Sequence, residues 1–478
     1  MKTIILAMCS LCLSASVWAA GVDRSQPPKV GEPKTYRPLE PTRFTLSNGL
    51  EVLFFEKHGV PLMHLSAMIH TGSADEKKGD EGLATLVAET LDEGAGGRTS
   101  LELADEIDYL GADLRVELDE HAILVSLHST VANFDPASNL FRDLLMRPDF
   151  PKKELKRIQT ELYNEMLSTY DDPSNVANLF FGKMVYGDAH PYGRWTTRLA
   201  VERDNTSVSD LKRFHKAHFV AANTTLVAAG AMKPDTFKGK LEALLGKMPK
   251  GKASKSDMPK AKQNGKRRVH LVNKPGAAQS CLRIGYLGIE PDHKDYFPVL
   301  VMNTILGGSF SSRMNQNIRE EHGYAYGART RFITRQGRGP FIATSNVQTD
   351  VTDKALKEMF SELREISETV SEEEVMRARN YLSLGFPSQF QSVAGIVSYH
   401  VNLLHSGQPL SRTAEYAASV QKVTLADVVR VAKEHVKPQK MSVTIVGDRA
   451  AIEKGVTSLK LGPMTHYELE EALGPKSR

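Results

Sequence analysis

Residues 82–94 read GLATLVAETLDEG. Leu83, Leu86, Val87 and Leu91 recur at helical spacing, so one face of the segment is made to be buried. Thr85, Ala88 and Glu89 share another face, because residues three and four apart stack on a helix. Two runs with strand character precede it, RFTLSNGLEVLFFEK and LMHLSAMIHTGS. The same grammar returns in the second half of the chain. There RRVHLVNK and SCLRIGYLGI read as strands, and YFPVLVMNTILGG takes the place of GLATLVAETLDEG. That recurrence argues for two tandem α/β domains of about 200 residues each, each a sheet with helices packed on one face.

Further echoes support the repeat. SVAGIVSYHVNLLHSG answers NVANLFFGKMVYGDA, and LADVVRVAKEHV with MSVTIVGD answers DLKRFHKAHF with TTLVAAGA. Between the halves, residues 246–268 are rich in Lys, Gly and Pro and poor in apolar side chains, a linker composition. The expected organisation is a signal peptide at 1–19, an extended lead-in at 20–41, a first domain at 42–245, the linker, a second domain at 269–460 and a tail at 461–478. Ser209 is the expected cap of the helix that begins SDLKRFHKAHF.

Composition excludes several classes. The 478 residues are 41% hydrophobic and 25% charged, an ordinary globular balance. A formal net charge of +4 gives no case for nucleic acid. MKTIILAMCSLCLSASVWAA has a basic start, an apolar run and small residues at Val17 and Ala19, the pattern of a cleaved secretory signal, so a periplasmic location is expected. Cys9 and Cys12 lie within it, which leaves Cys281 alone in the mature chain and no internal disulfide. Cys281 sits in an apolar strand and reads as a small buried hydrophobe. No later run is long and apolar enough for a membrane helix.

Several stretches, taken in order, resemble the M16 (insulinase or pitrilysin) family of zinc peptidases, nearest to its processing-peptidase branch. They are HTGSADEKKGDEGLATLVAETLDEG, ELYNEMLSTYDDPSN, HPYGR, LGGSFSSRMNQNIREEHGYAYG and the final VGD, and the resemblance spans about residues 42–455. It implies the M16/LuxS-like metallopeptidase fold, α+β, with two tandem homologous domains that are each a mostly antiparallel sheet with helices packed on one face. Active members carry His-x-x-Glu-His after Gly-Leu-Ala, two zinc-binding histidines around a water-activating glutamate, and a further glutamate ligand on a later helix. Here the histidine positions hold Thr85 and Glu89, the base position holds Ala88, and only the distant Glu165 remains.

Thr is a poor ligand and Ala can neither bind zinc nor move a proton. Glu89 and Glu165 alone would hold at most a weak hard cation. The chain is therefore expected to bind no zinc and to cut nothing by itself. Glu81, Asp92 and Glu93 flank the helix as ordinary surface acids, and His64, His70, His190 and His215 have no ligand-like spacing.

The second half keeps its own side of the family's site. The resemblance matches Arg319 and Tyr326 to an Arg/Tyr pair that reaches the zinc site from the C-terminal domain and steadies substrate and oxyanion. A guanidinium and a phenol are suitable donors to developing negative charge. The resemblance thus implies the non-metal subunit of a heteromeric zinc endopeptidase. Its partner would be an M16 subunit with an intact His-x-x-Glu-His, which would hold the zinc, and its substrate an unfolded peptide laid along a sheet edge. The alternative is a catalytically inactive peptide-binding or scaffold protein of the same fold.

Overall fold

The computed structural model describes residues 36–254, 258–262 and 265–477. The signal peptide expected at 1–19 and most of the lead-in lie outside them. Residues from Arg37 onward form one compact unit.

Strands β1 (Thr42–Thr45), β2 (Glu51–Glu56), β3 (Leu62–Ile69), β6 (Asp113–Leu118), β7 (Ile123–Thr130) and β8 (Thr224–Gly230) build the first sheet; β4 (Gly94–Ala95) and β5 (Arg98–Thr99) form a small separate ribbon. The second sheet contains β9 (Arg268–Asn273), β10 (Gln279–Leu287), β11 (Ala325–Phe332), β12 (Pro340–Gln348), β13 (Ser442–Gly447) and β14 (Met464–Tyr467). The orders are β1-β2-β8-β3-β7-β6 and β14-β9-β13-β10-β12-β11. In each, one inner pair runs parallel (β2 with β8, β9 with β13) and the next three pairings run antiparallel. The sheets are copies of one topology, as the repeated sequence grammar requires, and differ only in the strand added beyond β2 or β9.

Alternation along the second sheet shows how the halves meet. Successive strand residues point to opposite faces. Leu282 and Ile284 of β10, Phe341 and Ala343 of β12, and Val443 and Ile445 of β13 belong to the second half's own core. Their neighbours Cys281 and Val446 belong to the core of the first half, while Leu287 and Ile342 pack with Phe181 and Val185 of the helix Pro173–Tyr186. Both faces of the sheet are covered, which is why β10 is buried from Ser280 to Leu287.

The covering is reciprocal. The first half's helix Pro173–Tyr186 lies on β10 and β13, and the second half's helix Val393–His405 lies on β3 and β8. Phe55 stacks 4.2 Å from the ring of His400 on that second helix. These two helices are the pair that echo one another in sequence, so each half lends its copy of the same helix to the other's sheet.

Three local readings change. The helix Val208–His218 is capped by Ser207, not Ser209: Ser207 accepts from the Asp210 amide and Asp210 returns the bond, a capping box that needs a spacing of three. The 461–478 stretch, expected as a tail, contributes β14 beside β9 and the helix Leu469–Leu473, whose Ala472 and Leu473 enter the first half's core. The linker is fastened down where it is described: Pro249 and Lys250 carbonyls accept from Ala221 and Ala222, and the Ser254 amide donates to Asn223. Cys281 is buried, 3% exposed.

Candidate functional site

The helix that should carry the metal spans Leu83–Thr90. Its start is tightly specified. Gly82 has φ 87°, and a Cβ there would sit 2.4 Å from the backbone of Leu199 and Ala200. Glu76 folds back to cap the turn, accepting from the Gly82 amide at 2.8 Å and from the Ala84 amide at 2.6 Å. Burial nevertheless pushes the Glu76 carboxyl up to about 7, against the pull of those two bonds.

On this scaffold Thr85 and Ala88 are buried, at 6% and 4% exposure, and the Thr85 hydroxyl has no hydrogen-bond partner among the described residues. Glu89 opens outward. Its carboxyl is raised by loss of water and by the neighbouring Glu165, Asp92, Glu161 and Glu93. Glu165, on the helix Lys152–Asp171, accepts weakly from the Thr197 hydroxyl at 3.3 Å. Glu93 is bound to Arg157 at 2.5 Å. The place offers one orphaned hydroxyl, one methyl group and two mutually repelling carboxylates. Zinc prefers three or four imidazole, thiolate or carboxylate donors, so these residues do not fit it.

The second-half pair sits on different elements. The chain is helical from Arg313, widens into a π-helical turn over Gln316–Glu321, and leaves through Gly323 at φ 64° into β11. Such wide turns often mark functional positions. Arg319 lies on the turn and Tyr326 on β11. The Arg319 guanidinium lies over two rings, 4.9 Å from the centre of Phe310 and 4.9 Å from that of Tyr326, and its Nε meets Glu320 at 3.1 Å. Tyr326 is 88% exposed, and its hydroxyl makes no hydrogen bond among the described residues.

A cavity of ≈ 970 Å³ lies between the halves. The first half lines it with Glu165, Thr197 and the inner side of the helix Pro173–Tyr186, the second half with β11 and β12. A neighbouring cavity of ≈ 380 Å³ contains Phe310, Arg319 and Tyr326, and the two share Arg283, Arg329 and Thr344. Glu165 and the Arg/Tyr pair therefore line adjoining spaces, whereas Thr85, Ala88 and Glu89 line neither.

Polar groups stitch the halves together beside the cavity. Asp119 meets His405 at 3.2 Å, Glu120 meets Arg335 at 2.9 Å, and Tyr192, from the turn after His190, donates to the Gln336 carbonyl at 2.7 Å. Arg283, 4% exposed, donates to Asn178 at 2.6 Å, Ser174 at 2.7 Å and Asn346 at 3.1 Å. Burial lowers its pKa. Sequence reading missed Arg283, Phe310 and Tyr192; Arg283 and Tyr192 act across more than a hundred residues, which local pattern does not encode, and Phe310 meets Arg319 only because the chain folds back between them.

Residues 52–184 match the insulinase (peptidase family M16) pattern, and residues 205–382 match the peptidase M16 inactive domain. The chain belongs to the M16 family. This M16 chain is 25% identical over 338 residues to an uncharacterized zinc protease of Rickettsia felis, covering 70% of this chain and 81% of that protein. It is 22% identical over 404 residues to a Helicobacter pylori protein named a non-peptidase homolog, covering 83% and 92%. Among solved structures, the peptidase M16 inactive domain from Pseudomonas fluorescens superposes with TM-score 0.79 at 25% identity, covering 86% of this chain and 98% of that one. A protease from Helicobacter pylori superposes with TM-score 0.77 at 18% identity, covering 86% and 100%, which speaks for the fold alone.

Proposed function

We propose that this M16 chain is the non-metal subunit of a two-chain peptidase and acts in the periplasm. One observation carries the reading. Tyr326 is almost fully exposed with a hydroxyl unpartnered among the described residues and lies under a guanidinium, in a chain whose own metal position lacks a zinc donor set. An exposed phenol stacked on a charged group is poised to donate outward, to something the chain itself does not contain. In an acyl-transfer step that something is the oxygen of a carbonyl under attack, where each donor lowers the barrier by a few kcal/mol. Arg319, with several N–H donors in one plane, suits a peptide carbonyl or carboxylate nearby. The partner would contribute the metal and the general base. The signal-like character of residues 1–19 supports the location.

The test is reconstitution. The purified chain, alone, is expected to cleave no unfolded peptide. Mixed with a zinc-bearing M16 subunit from the same cell, it should form a stable complex and give turnover. No gain on mixing would overturn the reading.

The name of the Helicobacter pylori relative favours a second reading, a peptide-holding scaffold that never takes part in cleavage. It separates cleanly from the first: the chain would then bind peptide, and the partner's turnover would be the same with and without it.

A further inference from the structure

The cavity wall carries a charge pattern that neither the fold nor an oxyanion role requires. Arg329, Arg331, Ile333 and Arg335 all line the larger cavity. Arg329 and Arg331 are alternate residues of β11, so their side chains leave the same face, and Ile333 and Arg335 follow just past its end. Across β12 their register partners are Thr344 for Arg329 and Ile342 for Arg331, and both line the same cavity. Arg335 is already engaged by Glu120 and lies over the Tyr192 ring at 4.4 Å. Arg329 and Arg331 are exposed and have neither an ion pair nor a side-chain hydrogen bond among the described residues.

The rest of the lining does not neutralise them. Five arginines, Arg194, Arg283, Arg329, Arg331 and Arg335, face three carboxylates. Two of the three, Asp119 and Glu120, are matched by His405 and Arg335. The third, Glu165, lies on the opposite, first-half wall. Arg329 also borders the smaller cavity, where Arg319 sits. A line of unmatched positive charge thus runs along β11 toward the Arg319–Tyr326 stack.

We infer that the cavity selects extended acidic peptides, with Arg329 and Arg331 pairing with carboxylates at alternate positions of the bound chain. Residues i and i+2 of a strand are about 6.6 Å apart. An extended peptide beside β11 has the same repeat, so Glu or Asp at every second residue meets successive arginines. Opposite charges placed across two strands are mutually stabilising. A neutral peptide leaves two guanidinium groups confined against a protein wall without partners, and a basic peptide adds repulsion. β11 is the outermost strand of its sheet among the described residues, so the wall does not need to open a strand pair to receive such a chain. The inference rests on the cavity holding peptide, as proposed above, and adds which peptides it takes.

The experiment measures binding by the intact chain alone, without a partner and without turnover. Three fluorescein-labelled peptides of equal length, with Glu, Gln or Lys at alternate positions, are titrated by anisotropy at low and at physiological salt. The Glu peptide is expected to bind on the order of tenfold more tightly than the Gln peptide, the gap narrowing with salt as an ionic contact must. The Lys peptide should bind most weakly. The double variant Arg329→Gln/Arg331→Gln should bring the Glu peptide to the level of the Gln peptide, while Arg377→Gln, at an exposed arginine that pairs with Glu373, should leave the preference intact. Equal binding of the Glu and Gln peptides, no binding of any of them, or a preference that survives the double variant would overturn the inference. Those outcomes leave the reconstitution test untouched, and a failed reconstitution leaves a charge preference in these titrations standing.

Discussion

The guanidinium carbon of Arg319 lies 4.9 Å from the centre of the Tyr326 ring and at the same distance from that of Phe310. Removing one hydroxyl from this stack tests the donor role with little structural cost, because Tyr326 is 88% exposed. In the reconstituted complex, Tyr326→Phe is expected to lower kcat by about 10²–10³, the usual loss of a single oxyanion donor. The melting temperature of the chain should not move. Phe310→Ala should lower kcat less, by loosening Arg319, since an exposed cation–π contact contributes only about 0.5–1 kcal/mol. Steady-state kinetics with thermal melts of each variant gives both readouts.

Thr85 offers a test of the lost metal position that needs no metal. Its buried hydroxyl has no partner, and an unsatisfied buried polar group costs roughly 1–3 kcal/mol. Thr85→Val keeps the shape and removes the hydroxyl, so denaturant unfolding should show equal or greater stability. The triple change Thr85→His, Ala88→Glu and Glu89→His should act in the other direction. Two of its larger side chains enter positions that are 6% and 4% exposed, and overpacking costs about 1–3 kcal/mol. Stability should return in part on adding zinc if Glu165 completes the donor set, read as a zinc-dependent rise in melting temperature.

Arg283 should matter for the joint between the halves. Arg283→Leu would leave Asn178, Ser174 and Asn346 facing an apolar side chain. Asn178 is exposed and Ser174 and Asn346 are half-buried, so water can replace part of what is lost. A net loss of about 1–3 kcal/mol is expected in urea unfolding, offset partly because the buried charge itself disappears. A change below about 0.5 kcal/mol, the range of ordinary surface substitutions, would show that the joint does not depend on this side chain.

Acid should destabilise the chain. Burial lowers His64, His121, His215 and His270 from 6.5 to about 4. Between pH 6.5 and about 4 the unfolded chain takes up these protons and the folded chain does not. Stability is therefore full above pH 6.5 and falls as pH drops through that window, by up to about 1.4 kcal/mol per pH unit for each group. Glu76, raised from 4.5 to about 7, works in the opposite sense: its contribution is present at low pH and is lost as pH rises toward 7. With four such histidines, the melting temperature should fall steadily from pH 6.5 to 4, and His121→Gln should flatten the curve.

The sequence carried the parts of the fold that are local or repeated. Leu83, Leu86, Val87 and Leu91 mark the buried face of a real helix, all four fully buried. Gly323 marks a real turn into a strand, and the repeat predicts two sheets of the same kind. Apolar spacing says that a face of Pro173–Tyr186 is covered but not by what, so the exchange of helices between halves was invisible. Ser207 and Ser209 are equally good capping residues by type; only the reach to Asp210 distinguishes them. At the candidate site, family resemblance singled out Arg319 and Tyr326, which lie within 4.9 Å of one another in the structure, but gave no sign of Phe310 as the second ring beside Arg319. Arg329 and Arg331 stand two apart in the sequence, but nothing local says that they line a cavity whose other wall is more than a hundred residues away.

The traded helices also govern how the molecule can come apart. A nick in the lysine-rich connection would not yield two separable pieces, because each piece would still clasp the other with an element of its own. The two fragments should therefore stay together after such a cut and elute as one species under native conditions, parting only in denaturant.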